Sequence, residues 1–276
     1  MGGLAITGLI LIGANIAVSL RGFNSPEFMA KYAFETEAIL RLKDYKRIIT
    51  SGFLHTGWMH LGFNMFALYM FSTSLEPQIG IGPFSILYFA SLIGGSLFSL
   101  YVHRNKSNYS AVGASGAVSG IVFAAIALLP GMSIHLFLIP IGIPGWLFGL
   151  LYTIYSIYGM RSQRDNIGHE AHFGGGLVGL AIGLIMFPSA IQNYLPILAI
   201  AIPSIVFLLA LWKSPHLLIS NKPFSKPAPY MTKDDQYNAE KISRQEELDG
   251  LLDKIQKKGI DGLSKKEKAR LEDLSK

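Results

Sequence analysis

The chain has 276 residues, of which 50% are hydrophobic and 15% are charged, and it contains no cysteine. This composition excludes an ordinary soluble domain, and the lack of cysteine excludes disulfides, thiolate metal sites and a cysteine nucleophile. The net charge is +6, but 13 of the 24 Lys and Arg residues and 11 of the 18 acidic residues follow residue 213, where their signs alternate. Such alternation is unlike a phosphate-binding stripe, so we expect no nucleic-acid partner.

Apolar windows long enough to cross a bilayer recur through the first 213 residues. A membrane-spanning helix needs about 20 mainly apolar residues. The windows lie at roughly 4–20, 59–75, 82–102, 114–130, 134–157, 171–188 and 193–213. The sequence therefore predicts an all-α fold, a polytopic helical membrane bundle with seven candidate spans.

The first and last windows each have a second interpretation. Residues 4–20 resemble a secretory signal in hydropathy, but they lack a basic flank and are long enough to span, so we predict a transmembrane helix. The segment 191–213 contains Pro196 and Pro203, which membrane helices tolerate when neighbouring groups satisfy the freed carbonyls. This segment is either an additional transmembrane helix or a re-entrant hairpin.

A polar tail follows Lys213. Residues 214–238 are rich in proline and predict an extended linker. Leucines at helical spacing and the capping-box pair Ser264 and Glu267 predict a small soluble helical hairpin over 239–276. A hairpin of this size cannot bury a core alone, so it is either a docking or regulatory appendage or a solvated tail, and its partner is unknown.

Polar residues inside the predicted spans are costly and mark candidate functional sites. A first cluster contains His55, His60 and Asn64. His60 and Asn64 are four residues apart and therefore share one face of the second helix. Two side-chain hydrogen-bond donors can then point to one place.

Two further clusters combine a polar residue with small ones. Ser115 and Gly116 open the fourth helix, and a serine in such a run, taken alone, is explained by close helix packing. His172 begins the sixth helix, with Gly175 and Gly179 near the same face. If the two faces meet, the Ser115 hydroxyl and the His172 imidazole come within hydrogen-bonding reach, which is the geometry of an activated nucleophile.

The order and spacing of these residues resemble the pattern of the rhomboid family of intramembrane serine proteases. The resemblance covers about residues 4–188 and implies a six-helix rhomboid-like membrane domain over 1–190. The additional segment 191–213 and the tail lie outside the resemblance. The residues that carry it are His55, His60, Asn64, Gly113, Ser115, Gly116, His172, Gly175 and Gly179.

The resemblance implies a chemical role for four side chains. Ser115 attacks the peptide carbonyl and His172 takes its proton. His60 and Asn64, with the Ser115 amide, stabilise the oxyanion. The resemblance further implies structural support from His55, Arg47, Glu76, Gly113, Gly116, Gly175 and Gly179.

Two positions depart from the family pattern, and both concern orientation rather than chemistry. Lys46 stands where the family often has Trp, and Ser119 stands where an aromatic residue often packs on the catalytic histidine. A Ser–His dyad also lacks the carboxylate that orients the histidine of a triad. We therefore expect packing to hold the His172 ring.

The activity implied by the resemblance is endoproteolysis of transmembrane-protein substrates within or beside the lipid bilayer. The expected substrates are single-pass proteins with small residues at a weak point of their helix. The resemblance implies no cofactor and no bound metal. It also implies a multi-pass protein of the bacterial inner membrane.

Three other classes stay open. A membrane metalloprotease would use histidines such as His169 and His172, but no His-Glu-x-x-His motif occurs, and residues 165–170 are explained as a polar loop. A catalytically inactive rhomboid-like protein would bind transmembrane clients without cutting them, although Ser115 and His172 are both present. A transporter or channel would use histidines as proton relays, but the hydropathy pattern contains no inverted repeat.

The membrane orientation is open because two rules disagree. Basic residues over 41–47, 104–106 and 161–164 fall on one side, which the positive-inside rule places in the cytoplasm. The resemblance places that side, with the site, outside, and the amino terminus inside. Seven spans would then put the tail outside, whereas six spans with a hairpin would leave it in the cytoplasm.

Overall fold

The computed structural model describes residues 5–135, 142–162 and 167–218, together with 251, 254–255, 264 and 270–271. The chain divides into two units, Met1–Ser225 and Lys226–Lys276. The first unit is a helical bundle. In the second, five of the six described residues have helical backbone. Most of the predicted linker and tail hairpin lies outside the described residues.

Ten α-helices form the first unit within the described residues, and each of the seven predicted windows overlaps one of the seven long helices. The predicted helical membrane bundle is therefore confirmed. The helices are α1 Ile6–Asn24, α2 Pro26–Tyr32, α3 Thr36–Leu40, α4 Arg47–Thr50, α5 Trp58–Ile79, α6 Ile81–His103, α7 Ser115–Leu128, α8 Gly145–Ser162, α9 His169–Met186 and α10 Tyr194–Lys213.

Among the described helices, α1, α6 and α10 are long and apolar enough to cross a membrane by length and composition alone. Helix α7 is apolar but has only 14 residues. Helices α5 and α9 have 22 and 18 residues. They carry the histidines and asparagine singled out above, and these polar residues lower their hydropathy.

The structure differs from the sequence prediction at the start of segment 134–157 and decides between the two interpretations of segment 191–213. The window 134–157 is wrong at its start, because α8 begins at Gly145 and the residues before it form the short pair β3 Ser133–Ile134 and β4 Ile143–Pro144. Pro144 has no N–H and disfavours helical backbone at the preceding residue. The segment 191–213 contains one continuous helix, α10, which runs through Pro203, so the hairpin interpretation is wrong.

A second strand pair ties the long connection after α1 to the segment that leads into α7. It consists of β1 Phe34–Glu35 and β2 Ser110–Ala111, which run antiparallel. Next to it, the Thr36 N–H donates to the carbonyl oxygen of Tyr109 at 3.2 Å. The connection is thereby held close to the start of α7.

Helix α7 lies at the centre of the bundle, and every residue from 116 to 127 is buried. It packs against α5, α6 and α9. A Cβ on Gly175 would overlap the backbone of Gly116, and a Cβ on Gly179 would overlap that of Gly120. The two helices approach this closely because glycine has no side chain, as in other membrane helix pairs.

Candidate active site

Ser115 is the first residue of α7, and it is partly exposed although residues 116–127 of the helix are buried. Ser119, one turn later, donates a hydrogen bond from Oγ to the Ser115 carbonyl oxygen at 2.7 Å. The first amide groups of a helix have no partner within the helix, and they carry the positive end of its dipole. Ser115 therefore lies where negative charge is stabilised.

His172 lies in the first turn of α9, next to the turn that carries Ser115. A Cβ on Gly116 would lie 3.2 Å from the carbonyl oxygen of Ala171, so the direct neighbours of Ser115 and His172 are in contact. The Tyr152 ring of α8 lies 6.1 Å from the His172 ring with an angle of 19° between the two planes. The structure thus places the turns that carry Ser115 and His172 side by side.

His60 faces the same place from α5. The position of a Cβ on Gly113 would be 2.8 Å from His60 Nε2 and 3.7 Å from Ser115 Oγ. Gly113 has a φ of 138°, which disfavours other residues, and the close approach of His60 excludes a side chain there as well. Both features explain a glycine two residues before Ser115.

The tautomer of His60 follows from its other ring nitrogen. The Thr56 N–H donates to Nδ1 at 3.5 Å, and the Thr56 hydroxyl lies 3.2 Å from the same atom. Because Nδ1 accepts a hydrogen bond, the proton of the neutral ring is on Nε2. His60 therefore presents an N–H donor to the space in front of Ser115.

Asn64 lies one turn further along α5 and is buried. Its amide donates from Nδ2 to the His60 carbonyl oxygen at 2.9 Å. An asparagine amide has two N–H groups, so this group can donate a second hydrogen bond. His60 and Asn64 are four residues apart on α5 and therefore lie on one face of this helix, as their spacing in the sequence predicts.

His55 is fully buried behind His60, and the two rings meet edge to face with centroids 4.8 Å apart. Its Nδ1 lies 2.9 Å from Oγ of Ser19, and Ser19 donates to the carbonyl oxygen of Phe53 at 3.0 Å. Since Ser19 has one proton, His55 Nδ1–H is the donor in their bond. His55 thus joins the entry to α5 to α1.

Arg47 and Glu76 lie away from Ser115 and bind backbone groups. Arg47 donates from Nη1 to the carbonyl oxygens of Ala30 and Ala33 at 2.7 and 2.8 Å, and from Nε to Asp44 at 3.0 Å. Glu76, at the far end of α5, accepts the N–H groups of residues 7 and 8 at 2.8 and 2.9 Å. These amides open α1, where a carboxylate is favourable.

Asp44 keeps its charge in this connection. Desolvation raises the pKa of its carboxyl group, but hydrogen bonds from Arg47 and Lys46 and their positive charges outweigh it and leave the pKa below the usual value. The carboxylate is therefore ionised over the neutral range. Arg47 consequently keeps both an ionic and a backbone anchor.

Two features of the site were not predicted from the sequence. In the sequence, Tyr152 is one of several aromatic residues in an apolar window, and nothing distinguishes it from the others. The prediction of a polar loop over residues 165–170 is wrong at its end, because residues 169–170 open α9, and Glu170 is buried with Oε1 3.1 Å from His103 Nε2. A carboxylate is favourable in the first helical turn, which is a signal that favours helix over loop.

Among the residues that the structure describes, no group of three or more His, Asp or Glu side chains could hold a metal ion. The rings of His169 and His172 lie 6.0 Å apart and meet edge to face. Within the described part of the chain, this pair has no third ligand that would complete a site.

The fold and the site define a polytopic helical membrane protein in which the helix turns that carry Ser115 and His172 lie side by side at a seam of glycines. A family model described as the Rhomboid domain matches residues 42–189, more than half of the chain. The chain belongs to the Rhomboid family, as the residue pattern indicates. A second family model, a family of unknown function (DUF6576), matches residues 231–276 in the tail.

Named relatives come from both organelles and bacteria. The chain is 34% identical over 180 residues to Rhomboid protein 1, mitochondrial, of Saccharomyces cerevisiae, which covers 63% of this chain and 51% of that protein. It is 29% identical over 154 residues to rhomboid protease GluP of Bacillus subtilis, covering 56% and 28%. It is 27% identical over 207 residues to rhomboid protease AarA of Providencia stuartii, covering 67% and 65%. The chain spans about half the length of the first three curated relatives that it matches.

Proposed function

We propose that this chain is an intramembrane serine endopeptidase with Ser115 as nucleophile and His172 as general base. The contact between Gly116 and Ala171, at 3.2 Å for a Cβ on the glycine, carries this proposal because it sets the two turns side by side. Membership of a family whose relatives include named proteases supports it further.

In the proposed reaction, His172 accepts the proton of the Ser115 hydroxyl as Oγ attacks the scissile carbonyl carbon. The tetrahedral intermediate collapses to an acyl-enzyme when His172 gives that proton to the leaving amine. Water then enters, His172 takes one of its protons, and the resulting hydroxide releases the carboxylate product. Ser115 regains its proton, and the cycle needs no cofactor.

The oxyanion of that intermediate is stabilised by three donors in this proposal. His60 provides Nε2–H, Asn64 provides its amide and Ser115 provides its backbone N–H. The positive end of the α7 dipole adds to these donors. Donors fixed before the reaction are often the largest electrostatic contribution to catalysis.

The length of α7 supports cleavage below the membrane surface. Its 14 residues extend about 21 Å, whereas the hydrocarbon core of a bilayer is about 30 Å thick. A helix of this length cannot reach both surfaces, and in this proposal its first residue, Ser115, is the end that lies below the membrane surface. The substrates are therefore transmembrane proteins, and we propose single-pass proteins with small residues at a weak helical site.

We assign structural support to a further set of residues. Arg47 anchors the connection after α1, Glu76 caps α1, and His55 joins α1 to the start of α5. The glycines at 113, 116, 175 and 179 provide the close approaches described above. We propose the bacterial cell membrane as the location.

The test is cleavage of a single-pass substrate by the purified full chain in liposomes. Wild type cleaves, and Ser115→Ala and His172→Ala reduce the rate by at least about 10³-fold, as loss of a nucleophile or base does in serine proteases. Ser74→Ala and His135→Ala, at exposed positions, are the matched controls and keep the wild-type rate.

Each rival class gives a different result in the same assay. Cleavage that a chelator abolishes, with Ser115→Ala active, indicates a metalloprotease. Substrate that binds and co-purifies without being cut by any preparation of the wild type indicates a client-binding protein. Either result contradicts the proposed function.

A further inference from the structure

Tyr152 of α8 packs near His172 and forms a hydrogen bond one helical turn after Ser115. Its ring lies 6.1 Å from that of His172, centroid to centroid, and is close to parallel with it at 19°. Its hydroxyl lies 2.7 Å from Oγ of Ser119, one turn after Ser115. One side chain therefore reaches the base through its ring and the turn of the nucleophile through its oxygen.

The hydrogen bonds that start at Tyr152 have a defined direction. Ser119 Oγ donates to the Ser115 carbonyl oxygen at 2.7 Å. A serine hydroxyl has a single proton, so Ser119 must accept the hydrogen bond from Tyr152. Tyr152 donates to Ser119, Ser119 donates to Ser115, and the chain of bonds fixes the phenol relative to the first turn of α7.

The Tyr152 ring is itself held in place. Phe148 stacks on it at 5.8 Å and 15°, and Phe123 of α7 meets it edge to face at 5.6 Å and 79°. Helix α10 supports the same part of α8, because a Cβ on Gly149 would lie 2.8 Å from the side chain of Ile200. A ring enclosed in this way offers a fixed surface rather than an adaptable one.

We propose that Tyr152 is a positioning residue that sets the orientation of His172 relative to Ser115, an inference that rests on the proposed protease function. The ring limits rotation of the imidazole, and the hydroxyl ties that ring to the nucleophile's turn. A dyad has no carboxylate to orient its histidine. The two contacts of Tyr152 supply that restriction, and a misplacement of about 1 Å can cost about 10²-fold in rate.

Two substitutions separate the ring from the hydroxyl. In the full chain, we measure kcat, KM and the rate at which a fluorophosphonate labels Ser115, each as a function of pH. Tyr152→Leu lowers kcat and the labelling rate by about 10²-fold, leaves KM within about two-fold, and shifts the midpoint of the acidic limb of the pH–rate profile. Tyr152→Phe keeps the ring and loses less than about ten-fold.

Tyr158→Leu is the matched control, because this tyrosine lies on the same helix and its side chain is 61% exposed. It leaves the rates and the pH profile unchanged. A role of Tyr152 in folding alone would lower the yield or the unfolding temperature without moving the pH midpoint, and that result overturns the proposal.

An exchange variant covers the case in which Tyr152→Leu does not fold. Because the side chains of Ser119 and Tyr152 touch, Ser119→Tyr combined with Tyr152→Ser returns a ring to the same space from α7. We expect the double variant to label at least about ten-fold faster than Tyr152→Ser alone. Wild-type labelling in Tyr152→Phe and Tyr152→Ser, with an unchanged pH profile, overturns the inference. An inactive wild type instead contradicts the protease function, and the inference falls with it.

Discussion

His60 holds its Nε2–H toward Ser115 because its other ring nitrogen is already engaged by Thr56. Asn64 is fixed in turn by its bond to the His60 carbonyl oxygen. Both donors are therefore oriented before any substrate binds. Preorganised donors of this kind cost no reorganisation when charge develops in the transition state.

We expect His60→Ala and Asn64→Ala to lower kcat by about 10²–10³-fold each while the protein stays folded, since each removes one oxyanion donor. Steady-state cleavage of a single-pass substrate measures this. Phe63→Ala is the control, because this residue lies between them on α5 and is exposed. Unchanged kcat in both variants would remove them from the oxyanion role.

The sequence indicates a functional residue only where its side chain is unusual for an apolar span. His172 is conspicuous because a polar group is costly in an apolar span, whereas Ser115 taken alone is explained by close helix packing and stands out only together with His172. Tyr152 gives no such signal, since an aromatic ring fits an apolar helix wherever it points. The departure at Ser119 was the available hint, because it left the histidine without its usual aromatic neighbour.

The seam between α7 and α9 is the element on which the site depends. A Cβ on Gly179 would overlap the Gly120 backbone, whereas a Cβ on Gly183, one turn further along α9, would lie 3.5 Å from the Ala124 Cβ in ordinary contact. The two positions differ in the space available and in little else. They form a natural pair for substitution.

We expect Gly179→Ala to destabilise the protein by about 1–3 kcal/mol through overpacking. Gly183→Ala should be neutral or stabilise the helix by up to about 1 kcal/mol, because alanine loses less backbone entropy on folding. Thermal unfolding in detergent, with fluorophosphonate labelling on the same samples, compares them. Equal unfolding temperatures would contradict the close seam.

Small residues on two predicted helices indicate that these helices can approach closely, and the structure shows that α7 and α9 do so. The start of α8 could not be predicted in this way. Hydropathy counts Ile134 and Ile143 as part of a span. In the structure these two residues pair with each other in antiparallel strands. Hydropathy measures composition and does not detect a backbone that turns back on itself.

In the molecule as a whole, every residue assigned a catalytic or supporting role lies in the first unit, Met1–Ser225. The tail matches a separate family model over residues 231–276. We therefore expect a chain ending at Ser225 to cleave a single-pass substrate within about two-fold of the full-length rate, because truncation between the two units removes none of the residues of the first unit. Loss of cleavage with unchanged thermal stability would show that the tail takes part in catalysis or substrate binding.

The continuous helix α10 favours the topology in which segment 191–213 is an additional span. In that topology the chain passes seven times from one side of the membrane to the other, and we expect its two ends to lie on opposite sides. A tag placed after residue 276 and a tag placed before residue 1 should then differ in their access to a protease added to sealed vesicles. Equal access would mean that one of the seven helices does not span.

Covalent labelling tests whether Ser115 is the nucleophile and His172 is its base. The full chain is treated with a fluorophosphonate, digested and examined by mass spectrometry to find the modified residue. We expect a single adduct on the Ser115 Oγ. This adduct should be absent from Ser115→Ala and should form at least about 10²-fold more slowly in His172→Ala. An adduct on another residue, or labelling of Ser115 at the wild-type rate without His172, would contradict it.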